Sequence, residues 1–153
     1  MEAISRHRYE SPFGPWTLSL DAQGAVYGLF FEPIDAPESD SDARRQLDDY
    51  FAGQRTVFDL KLVTHGPPMH EAVWKMLIEI PYGETATYGD LALRLGDATL
   101  ARAVGQACAK NPIPIIIPCH RVIGSNGSLT GFGGGIEVKR ELLRREASQK
   151  SLF

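Results

Sequence analysis

The sequence predicts a mixed α/β protein with an antiparallel sheet in its N-terminal half and mainly helices in its C-terminal half. Residues 9–62 contain short alternating apolar stretches separated by Gly, Pro and Asp turns, which is the pattern of strands. From Ala72 onward, apolar residues recur at helical spacing. The charge changes as well: residues 1–81 hold seven Lys/Arg against thirteen Asp/Glu, and residues 82–153 hold nine against six. We therefore expect the two halves to have different tasks.

The N-terminal half is predicted to form a hairpin, one helix and a further strand. Asp21 and Gly24 bound the hairpin turn. Ser41 or Asp42 can cap the helix, and Gly53 closes it. The predicted elements are a strand over 9–20 that a Pro/Gly turn interrupts, a strand over 25–31, a helix through 47–51 and a half-buried strand over 57–62. This half contains no group of residues typical of catalysis.

The stretch His65-Gly66-Pro67-Pro68 marks the best candidate boundary, so we predict one domain over 1–66 and another over 67–153. Four helices are predicted in the second domain. Thr87 and Thr99 are the expected caps of the second and third of these. The predicted helices cover 72–80, 88–95, 99–109 and 136–146, and the tail over 147–153 is expected to be poorly ordered.

The second and third of these helices have the arrangement of a helix-turn-helix unit, because a short turn containing Gly96 joins them. Arg102 lies near the N-terminal end of the third helix, where the recognition side chains of such units reach DNA. Helical hairpins of this size also occur as ordinary core structure. The two helices alone leave both interpretations open.

The sequence has no run of about eighteen apolar residues, which excludes a membrane-spanning helix. Residues 1–9 contain no apolar stretch of the kind found in signal peptides. We therefore expect a cytoplasmic protein without a membrane partner. Its two cysteines, Cys108 and Cys119, are expected to stay reduced in that compartment.

Residues 111–124 form the most unusual segment of the chain. Prolines at 112, 114 and 118 rule out a regular helix and disfavour a central strand. The remaining prediction is a stiff, extended apolar segment that ends at Cys119. A Gly-rich loop over 131–135 follows, where the backbone can approach a ligand closely.

Cys119 is followed directly by His120 and Arg121, and these neighbours favour a reactive thiol. A free cysteine is only a few per cent thiolate at neutral pH, and neighbouring cations or a base raise that fraction. Glu146 could orient the histidine and complete an arrangement of nucleophile, base and carboxylate. Buried cysteines are more often small core residues. The residues alone therefore leave both interpretations open.

Two other uses of the cysteines find less support. The cysteines and histidines match no paired-ligand spacing of a structural zinc site, so no metal site is predicted. A cysteine protease places its Cys and His far apart in the chain, and no second candidate pair is present here.

Several segments carry a resemblance to a known family. One reads Ile116-Ile117-Pro118-Cys119-His120-Arg121-Val122-Ile123. It resembles the active-site signature of the O6-alkylguanine-DNA alkyltransferases, also called methylated-DNA–protein-cysteine methyltransferases. The resemblance is firm over 69–146 and looser at 11–14 and 49–53. Further matching segments, in the family's order, are Val73-Trp74, Ile80-Pro81-Tyr82-Gly83, Thr87-Tyr88-Gly89-Asp90-Leu91-Ala92, Ala101-Arg102-Ala103-Val104-Gly105, Asn111-Pro112 and Leu142-Leu143-Arg144-Arg145-Glu146.

The resemblance implies a small N-terminal α/β domain of ribonuclease H-like fold and a mainly helical C-terminal domain with a winged helix-turn-helix. It implies direct-reversal DNA repair, in which O6-alkylguanine, and also O4-alkylthymine, is flipped out of duplex DNA. The alkyl group then passes irreversibly to Cys119, so each molecule acts once. The implied protein is a monomer that needs no cofactor and no metal, and its partner is double-stranded DNA containing O6-alkylguanine.

The resemblance also implies the catalytic roles. Cys119 would accept the alkyl group, with His120 as a water-linked base and Glu146 behind it. Tyr88 would press on a phosphate of the target strand and donate a proton toward the departing guanine. Asn111 would brace the turn before the active-site segment.

For DNA, the resemblance makes Arg102 the finger that fills the gap left by the flipped nucleotide. The implied DNA-binding residues are Tyr88, Arg94, Ala101, Arg102 and Arg121. The carbonyl groups of Cys119 and Val122 would accept from the guanine amino group. The implied pocket residues are Pro114, Val122, Phe132, Gly133 and Gly134. Lys139 is interpreted as a solvated or salt-bridged surface residue.

The chain departs from the family pattern near the pocket. Phe132 stands where tyrosine is frequent, and Gly133 offers no side-chain hydroxyl, so we expect effects on substrate range and rate.

Two alternative functions compete with alkyl transfer. A non-catalytic alkyltransferase-like protein would bind damaged DNA but replace the nucleophile, whereas this chain retains Cys119. A transcription regulator would need a dimerising or effector-binding segment, and residues 1–66 show none.

Overall fold

The computed structural model describes residues 3–150, and their contacts divide them into two units. The N-terminal unit comprises the described residues up to Thr64 together with Pro112–Pro114. The C-terminal unit comprises His65–Asn111 and the described residues from Ile115 onward. The predicted second domain included residues 112–114. The structure differs there because the backbone N–H of Leu29 donates to the Pro112 carbonyl at 2.9 Å.

A three-stranded antiparallel sheet forms the centre of the N-terminal unit. Its strands are β1 (Ser5–Ser11), β2 (Gly14–Leu20) and β3 (Val26–Phe30), in the order β1-β2-β3. The predicted Pro/Gly interruption of the strand over 9–20 is confirmed, since β1 and β2 are separated by a turn in which Gly14 has φ of 111°. The predicted turn before β3 is confirmed, since the Asp21 carboxylate accepts from the N–H groups of Gln23 and Ala25 at 2.9 and 3.0 Å.

The helix of this unit is α1 (Asp42–Phe51), as predicted. The Ser41 hydroxyl caps it by accepting from the backbone N–H of Arg44 at 3.1 Å. Beyond its C-terminal end, Gly53 takes the left-handed conformation with φ of 75°. Its buried face includes Ala43 and Leu47, which contribute to the core of this unit.

The predicted strand over 57–62 is wrong. The segment makes a single parallel bridge, between Val26 and Leu62, and Val57 is 71% exposed. The side-chain amide of Gln46 instead bonds to both backbone groups of Asp59, at 2.8 and 3.0 Å. Because the Gln46 side chain satisfies the backbone N–H and C=O of Asp59, this segment does not need to pair with a neighbouring strand along its length.

The C-terminal unit is mainly helical. The indole N–H of Trp74 donates to the Ala107 carbonyl at 2.8 Å and thereby joins two of its helices. The elements are α2 (Pro68–Ile78), β4 (Ala86–Thr87), α3 (Tyr88–Arg94), α4 (Ala101–Ala109), β5 (Val122–Ile123) and α5 (Ile136–Gln149). Within residues 3–150, no helix is both long and apolar enough to cross a lipid bilayer.

The helix ends test the predicted caps. Thr87 caps α3, as predicted. The cap is a reciprocal capping box with Asp90, which was not predicted. The cap at Thr99 is wrong. Asp97 accepts from both the backbone N–H and the hydroxyl of Thr99, at 2.9 and 2.8 Å, and starts a 3-10 turn over Ala98–Leu100 ahead of α4.

The end of α5 also corrects a prediction. The helix continues to Gln149, so residues 147–149 are ordered, whereas we expected a poorly ordered tail. The Tyr82 hydroxyl donates to the Gln149 side chain at 2.9 Å, a long-range contact that no local pattern reveals. Residues 151–153 of that predicted tail lie outside the described residues.

A short parallel pair of strands positions the site. β4 pairs with β5, with Ala86 opposite Val122 and Thr87 opposite Ile123. Because α3 begins directly after β4, its first residue, Tyr88, is held beside the strand that follows Cys119.

Candidate active site

The segment before Cys119 is irregular, as its prolines predict, and ends in a 3-10 turn over Cys119–Arg121. Ile115, within it, is buried and has φ of 73°, a left-handed conformation that costs a β-branched residue roughly 1–3 kcal/mol. The side-chain amide of Asn111 donates to the Ile117 carbonyl at 2.8 Å. The backbone N–H of Cys119 donates to the same carbonyl at 2.8 Å. Asn111 therefore braces the segment that presents the thiol.

The thiol of Cys119 is buried, with 8% of the residue exposed. Burial raises the pKa of this thiol, while the Asn111 amide and the Lys139 ammonium act in the opposite direction. The net direction is upward, so the resting group is the neutral thiol. Nucleophilic attack from this position requires a base that removes the proton.

His120, the residue after Cys119, forms a buried pair with Glu146 of α5. The imidazole Nε2 of His120 lies 2.8 Å from Oε2 of Glu146, and both residues are at most 1% exposed. Burial lowers the pKa of His120, which favours the neutral ring. We assign the ring hydrogen to Nε2 because its partner is a carboxylate. Nδ1, which has no hydrogen-bond partner within residues 3–150, is then free to accept a proton.

Arg121 holds Glu146 from the other side. Its Nε and Nη2 donate to the two carboxylate oxygens at 2.8 and 3.1 Å, and Nη1 donates to the Ile80 carbonyl at 2.7 Å. Burial alone would raise the pKa of Glu146, but the hydrogen bonds from His120 and Arg121 and the charge of Arg121 outweigh it and lower the pKa to about 2. Glu146 is therefore ionised at neutral pH.

The position of Arg121 disagrees with the predicted DNA contact. The residue is 6% exposed, and its guanidinium lies 5.7 Å from the centre of the Tyr82 ring. A guanidinium whose donors are engaged inside the protein has little left to offer a phosphate. The geometry makes Arg121 a part of a buried charged cluster, which consists of His120, Arg121, Lys139 and Glu146, rather than of the exposed surface.

Lys139 was interpreted as a surface residue, and this is wrong. It is fully buried, and its ammonium donates to the Val122 carbonyl at 2.7 Å and to the Thr130 carbonyl at 3.1 Å. Burial lowers its pKa, against the opposing effect of the two cysteines. The sequence did carry a signal, since Lys139, Leu142 and Glu146 follow the helical spacing of one buried face of α5.

Tyr88 is half-buried at the start of α3, and its hydroxyl oxygen accepts a hydrogen bond from the Thr130 hydroxyl at 2.8 Å. Burial raises the pKa of Tyr88, and the bond from Thr130 opposes that shift. A Cβ atom at Gly105 would lie 3.8 Å from the ring, so α4 approaches Tyr88 closely. Sequence reasoning did not identify Thr130.

The residues predicted to face DNA differ in their surroundings. Arg102, the second residue of α4, is exposed, and no hydrogen bond or ion pair joins its side chain to the described part of the chain. Ala101 before it is half-buried. Arg94 is exposed at the end of α3 and pairs with Glu79 at 2.6 Å.

The predicted pocket residues fall into two sets. Pro114 is buried and belongs to the N-terminal unit, whereas Val122 and the glycine-rich loop belong to the C-terminal unit. In that loop Phe132 is half-buried and its carbonyl accepts from the Gly135 N–H at 2.9 Å. Gly133 is exposed and Gly134 is half-buried.

The two carbonyls predicted to bind the guanine amino group already have partners. The Cys119 carbonyl accepts from the Val122 N–H, and the Val122 carbonyl accepts from Lys139. Each carbonyl keeps a second lone pair for a ligand. The described residues contain no group of three or more His, Cys, Asp or Glu side chains placed to hold a metal ion.

Comparison with known proteins shows the family of this chain. Residues 68–148 match the family model described as the DNA binding domain of 6-O-methylguanine DNA methyltransferase. A methylated-DNA–protein-cysteine methyltransferase of Methanosarcina acetivorans is 46% identical over 150 residues, which cover 92% of this chain and 96% of the relative. The chain belongs to the methylated-DNA–protein-cysteine methyltransferase family. The matched residues include the thiol, the buried charged cluster and both helices α3 and α4.

Solved structures of the methyltransferase family extend the match to the whole fold. The crystal structure of the Mycobacterium tuberculosis O6-methylguanine methyltransferase has a TM-score of 0.86 and is 43% identical, with 96% of this chain and 94% of that chain covered. The crystal structure of Mycobacterium tuberculosis OGT in complex with DNA has a TM-score of 0.85, with 94% and 93% covered. The mixed α/β architecture is thus confirmed.

Proposed function

We propose that this protein repairs DNA by direct reversal, transferring the alkyl group of O6-alkylguanine in duplex DNA to Cys119. The observation that carries the proposal is the buried Cys119 thiol, whose next residue, His120, forms a buried pair with Glu146, in a chain of the methyltransferase family. The substrate class comes from the names of the relatives.

The chemistry begins with removal of the thiol proton. His120 is neutral and its Nδ1 can accept that proton through an intervening water molecule. The ionised Glu146, held by Arg121, stabilises the imidazolium that forms. The sulfur then attacks the alkyl carbon, a C–S bond forms and the bond from that carbon to O6 breaks.

The departing guanine takes the electron pair of the broken bond and needs a proton. Tyr88 is placed to supply this proton, because the pairing of β4 with β5 brings the start of α3 beside the strand that follows Cys119. The product thioether has no route back to a thiol within the site. Each molecule therefore acts once, and the reaction needs no cofactor.

DNA recognition is assigned to α3 and α4 as the two helices of a winged helix-turn-helix. The exposed Arg102 at the start of α4 is the residue that fills the gap after the nucleotide flips out. Arg94 and Ala101 lie on the same two helices and contact the backbone of the duplex. The excess of Lys/Arg over Asp/Glu in residues 82–153 supports this assignment.

Within the C-terminal unit, the pocket for the flipped base is assigned to Val122 and the loop with Phe132, Gly133 and Gly134. With no hydroxyl at the last three positions, O6 is recognised through the backbone alone.

The N-terminal unit is assigned a ribonuclease H-like fold on the basis of the family. The whole protein acts as a cytoplasmic monomer, and O4-alkylthymine is a second substrate.

The decisive experiment is the intact mass of the protein after incubation with an O6-methylguanine duplex. We expect a gain of one methyl group, about 14 Da, on every active molecule. Peptide mapping should place the methyl group on Cys119 and leave Cys108, the other cysteine, unmodified. A duplex with unmodified guanine serves as the control.

The same measurement distinguishes the proposed function from the competing one. A protein that binds the lesion duplex tightly without any gain in mass would be a non-catalytic damage-binding protein. Methylation of Cys108 in place of Cys119 would also overturn the proposal.

A further inference from the structure

Thr130 makes two contacts that join separate parts of the C-terminal unit. Its hydroxyl donates to the Tyr88 hydroxyl at 2.8 Å, and its carbonyl accepts from the buried ammonium of Lys139 at 3.1 Å. Lys139 in turn donates to the carbonyl of Val122 at 2.7 Å. Hydrogen bonds thus connect β5, the strand after Cys119, through Lys139 and Thr130 to Tyr88.

The hydrogen bond from Lys139 to the Thr130 carbonyl fixes the position of the Thr130 hydroxyl. Thr130 itself is exposed, in the loop between β5 and α5, and a side-chain contact in such a place is weak when its backbone moves freely. Here the ammonium of Lys139, which is fully buried, holds the Thr130 backbone. The threonine hydroxyl therefore meets Tyr88 in a fixed geometry.

We propose that Thr130 is a positioning residue for alkyl transfer, whose hydroxyl orients the Tyr88 hydroxyl so that its proton points at the departing guanine. The inference rests on the proposed function, in which Tyr88 supplies that proton. Phe132 and Gly133, the nearby loop positions discussed above, carry no hydroxyl that could do this instead.

The direction of the hydrogen bond gives the mechanism. Because Thr130 donates, the Tyr88 oxygen acts as the acceptor and its own hydrogen stays available for the guanine. When the proton leaves, negative charge develops on the Tyr88 oxygen, and a hydrogen bond from Thr130 becomes stronger as that charge grows. The opposing effect of Thr130 on the raised pKa of Tyr88 agrees with this direction.

The test measures the single-turnover rate of alkyl transfer to the full-length protein, at saturating O6-benzylguanine and with an O6-methylguanine duplex. The variants are Thr130→Val, which keeps the shape and removes the hydroxyl, Thr130→Ser, which keeps the hydroxyl, and Tyr88→Phe. Ser125→Ala, an exposed hydroxyl change in the same loop, is the matched control. The double variant Thr130→Val/Tyr88→Phe completes the cycle.

We expect Thr130→Val to lower the rate at saturation by about fivefold, the effect of one hydrogen bond, with little change in affinity. Thr130→Ser should restore most of the rate, and Ser125→Ala should match the wild type. In the Tyr88→Phe background, Thr130→Val should have no further effect, because its only route to the substrate is Tyr88.

Three results would overturn the inference: a Thr130→Val rate equal to that of the wild type, a slow Thr130→Ser, or an undiminished effect of Thr130→Val in the Tyr88→Phe background. The last result would assign Thr130 a purely structural role. Failure of the proposed function is distinguishable, since the wild type itself would then gain no alkyl group.

Discussion

Arg121 and Arg102 were both predicted to bind DNA, yet they lie in two regions of opposite character. Arg121 is buried beside Glu146, and three of its nitrogen atoms donate to groups inside the protein. Arg102 is exposed at the start of α4, without a hydrogen bond or ion pair to any part of the chain that the structure describes. The same type of side chain therefore lies in two different environments in one unit.

The difference follows from the cost of burying charge. A buried carboxylate without a partner is very unfavourable, so Glu146 requires the guanidinium that contacts both of its oxygens. An exposed arginine loses little solvation and keeps its donors for an external phosphate or base. The buried cluster of His120, Arg121, Lys139 and Glu146 should thus govern stability and chemistry, and the exposed start of α4 should govern only reactions that involve duplex DNA.

The largest expected effect is that of Cys119→Ala, which removes the nucleophile from the buried region. We expect complete loss of alkyl transfer from both O6-benzylguanine and an O6-methylguanine duplex, with duplex binding retained. Intact mass and a gel-shift or anisotropy titration measure the two properties. Any residual mass gain would show that another group accepts the alkyl.

Next is Arg121→Ala, which leaves Glu146 buried without its main partner. Breaking a buried ion pair costs about 3–5 kcal/mol, so the unfolding free energy should fall by that order. Urea unfolding measures this directly. Transfer from free O6-benzylguanine should slow as much as transfer from duplex DNA. A stable variant with impaired duplex binding alone would place Arg121 on the DNA surface after all.

Acid should destabilise the buried cluster in a defined order. The pKa of His120 lies below 6.5, and the pKa of Glu146 is lowered from 4.5 to about 2. Since both groups bind protons more readily when unfolded, stability is fully present above about pH 6.5 and decreases as the pH falls. The contribution of His120 is lost first, and that of Glu146 follows below about pH 4.5.

Urea unfolding from pH 7.5 down to pH 4 tests this order. In His120→Asn, the decrease between about pH 6.5 and pH 5 should become shallower, because that titrating group is gone. Arg102→Ala should follow the wild-type curve in parallel. If the wild-type unfolding free energy stays constant over this range, the depressed pKa of His120 is not a property of the folded protein.

Arg102→Ala should have a smaller and more selective effect. Flipping a nucleotide costs a few kcal/mol, and loss of the side chain that fills the gap should slow duplex repair by about tenfold or more. The rate with free O6-benzylguanine and the unfolding free energy should stay near wild type. Equal losses on the two substrates would remove the assignment of Arg102 to flipping.

The smallest effect is expected for Arg94→Ala. Its ion pair with Glu79 is about half exposed, and such pairs contribute about 0–1 kcal/mol. Stability should therefore be almost unchanged, while the salt dependence of duplex binding should become slightly weaker if Arg94 contacts a phosphate. An unchanged salt dependence would restrict Arg94 to its pair with Glu79.

Elements with a local cause were predictable from sequence. The turn at Asp21, the cap at Ser41 and the irregular proline-rich segment before Cys119 each depend on residues a few positions apart. The thiol and its histidine and glutamate were found in the same way, from neighbouring residues and a family resemblance. The length of α5 was not, because its end depends on a bond from Tyr82, far away in the chain.

By itself, the sequence determined the class of the protein, the nucleophile and most helices and strands, because side-chain periodicity, caps and the active-site motif are local properties. Tertiary structure decided which charged groups are buried. It enclosed Lys139, turned Arg121 toward Glu146 and brought Thr130 to Tyr88, through contacts between residues 17 to 42 positions apart. Whether a charged side chain is buried depends on distant elements that pack over it, so a local pattern such as the spacing of Lys139, Leu142 and Glu146 on α5 can indicate a buried face but cannot supply the partners.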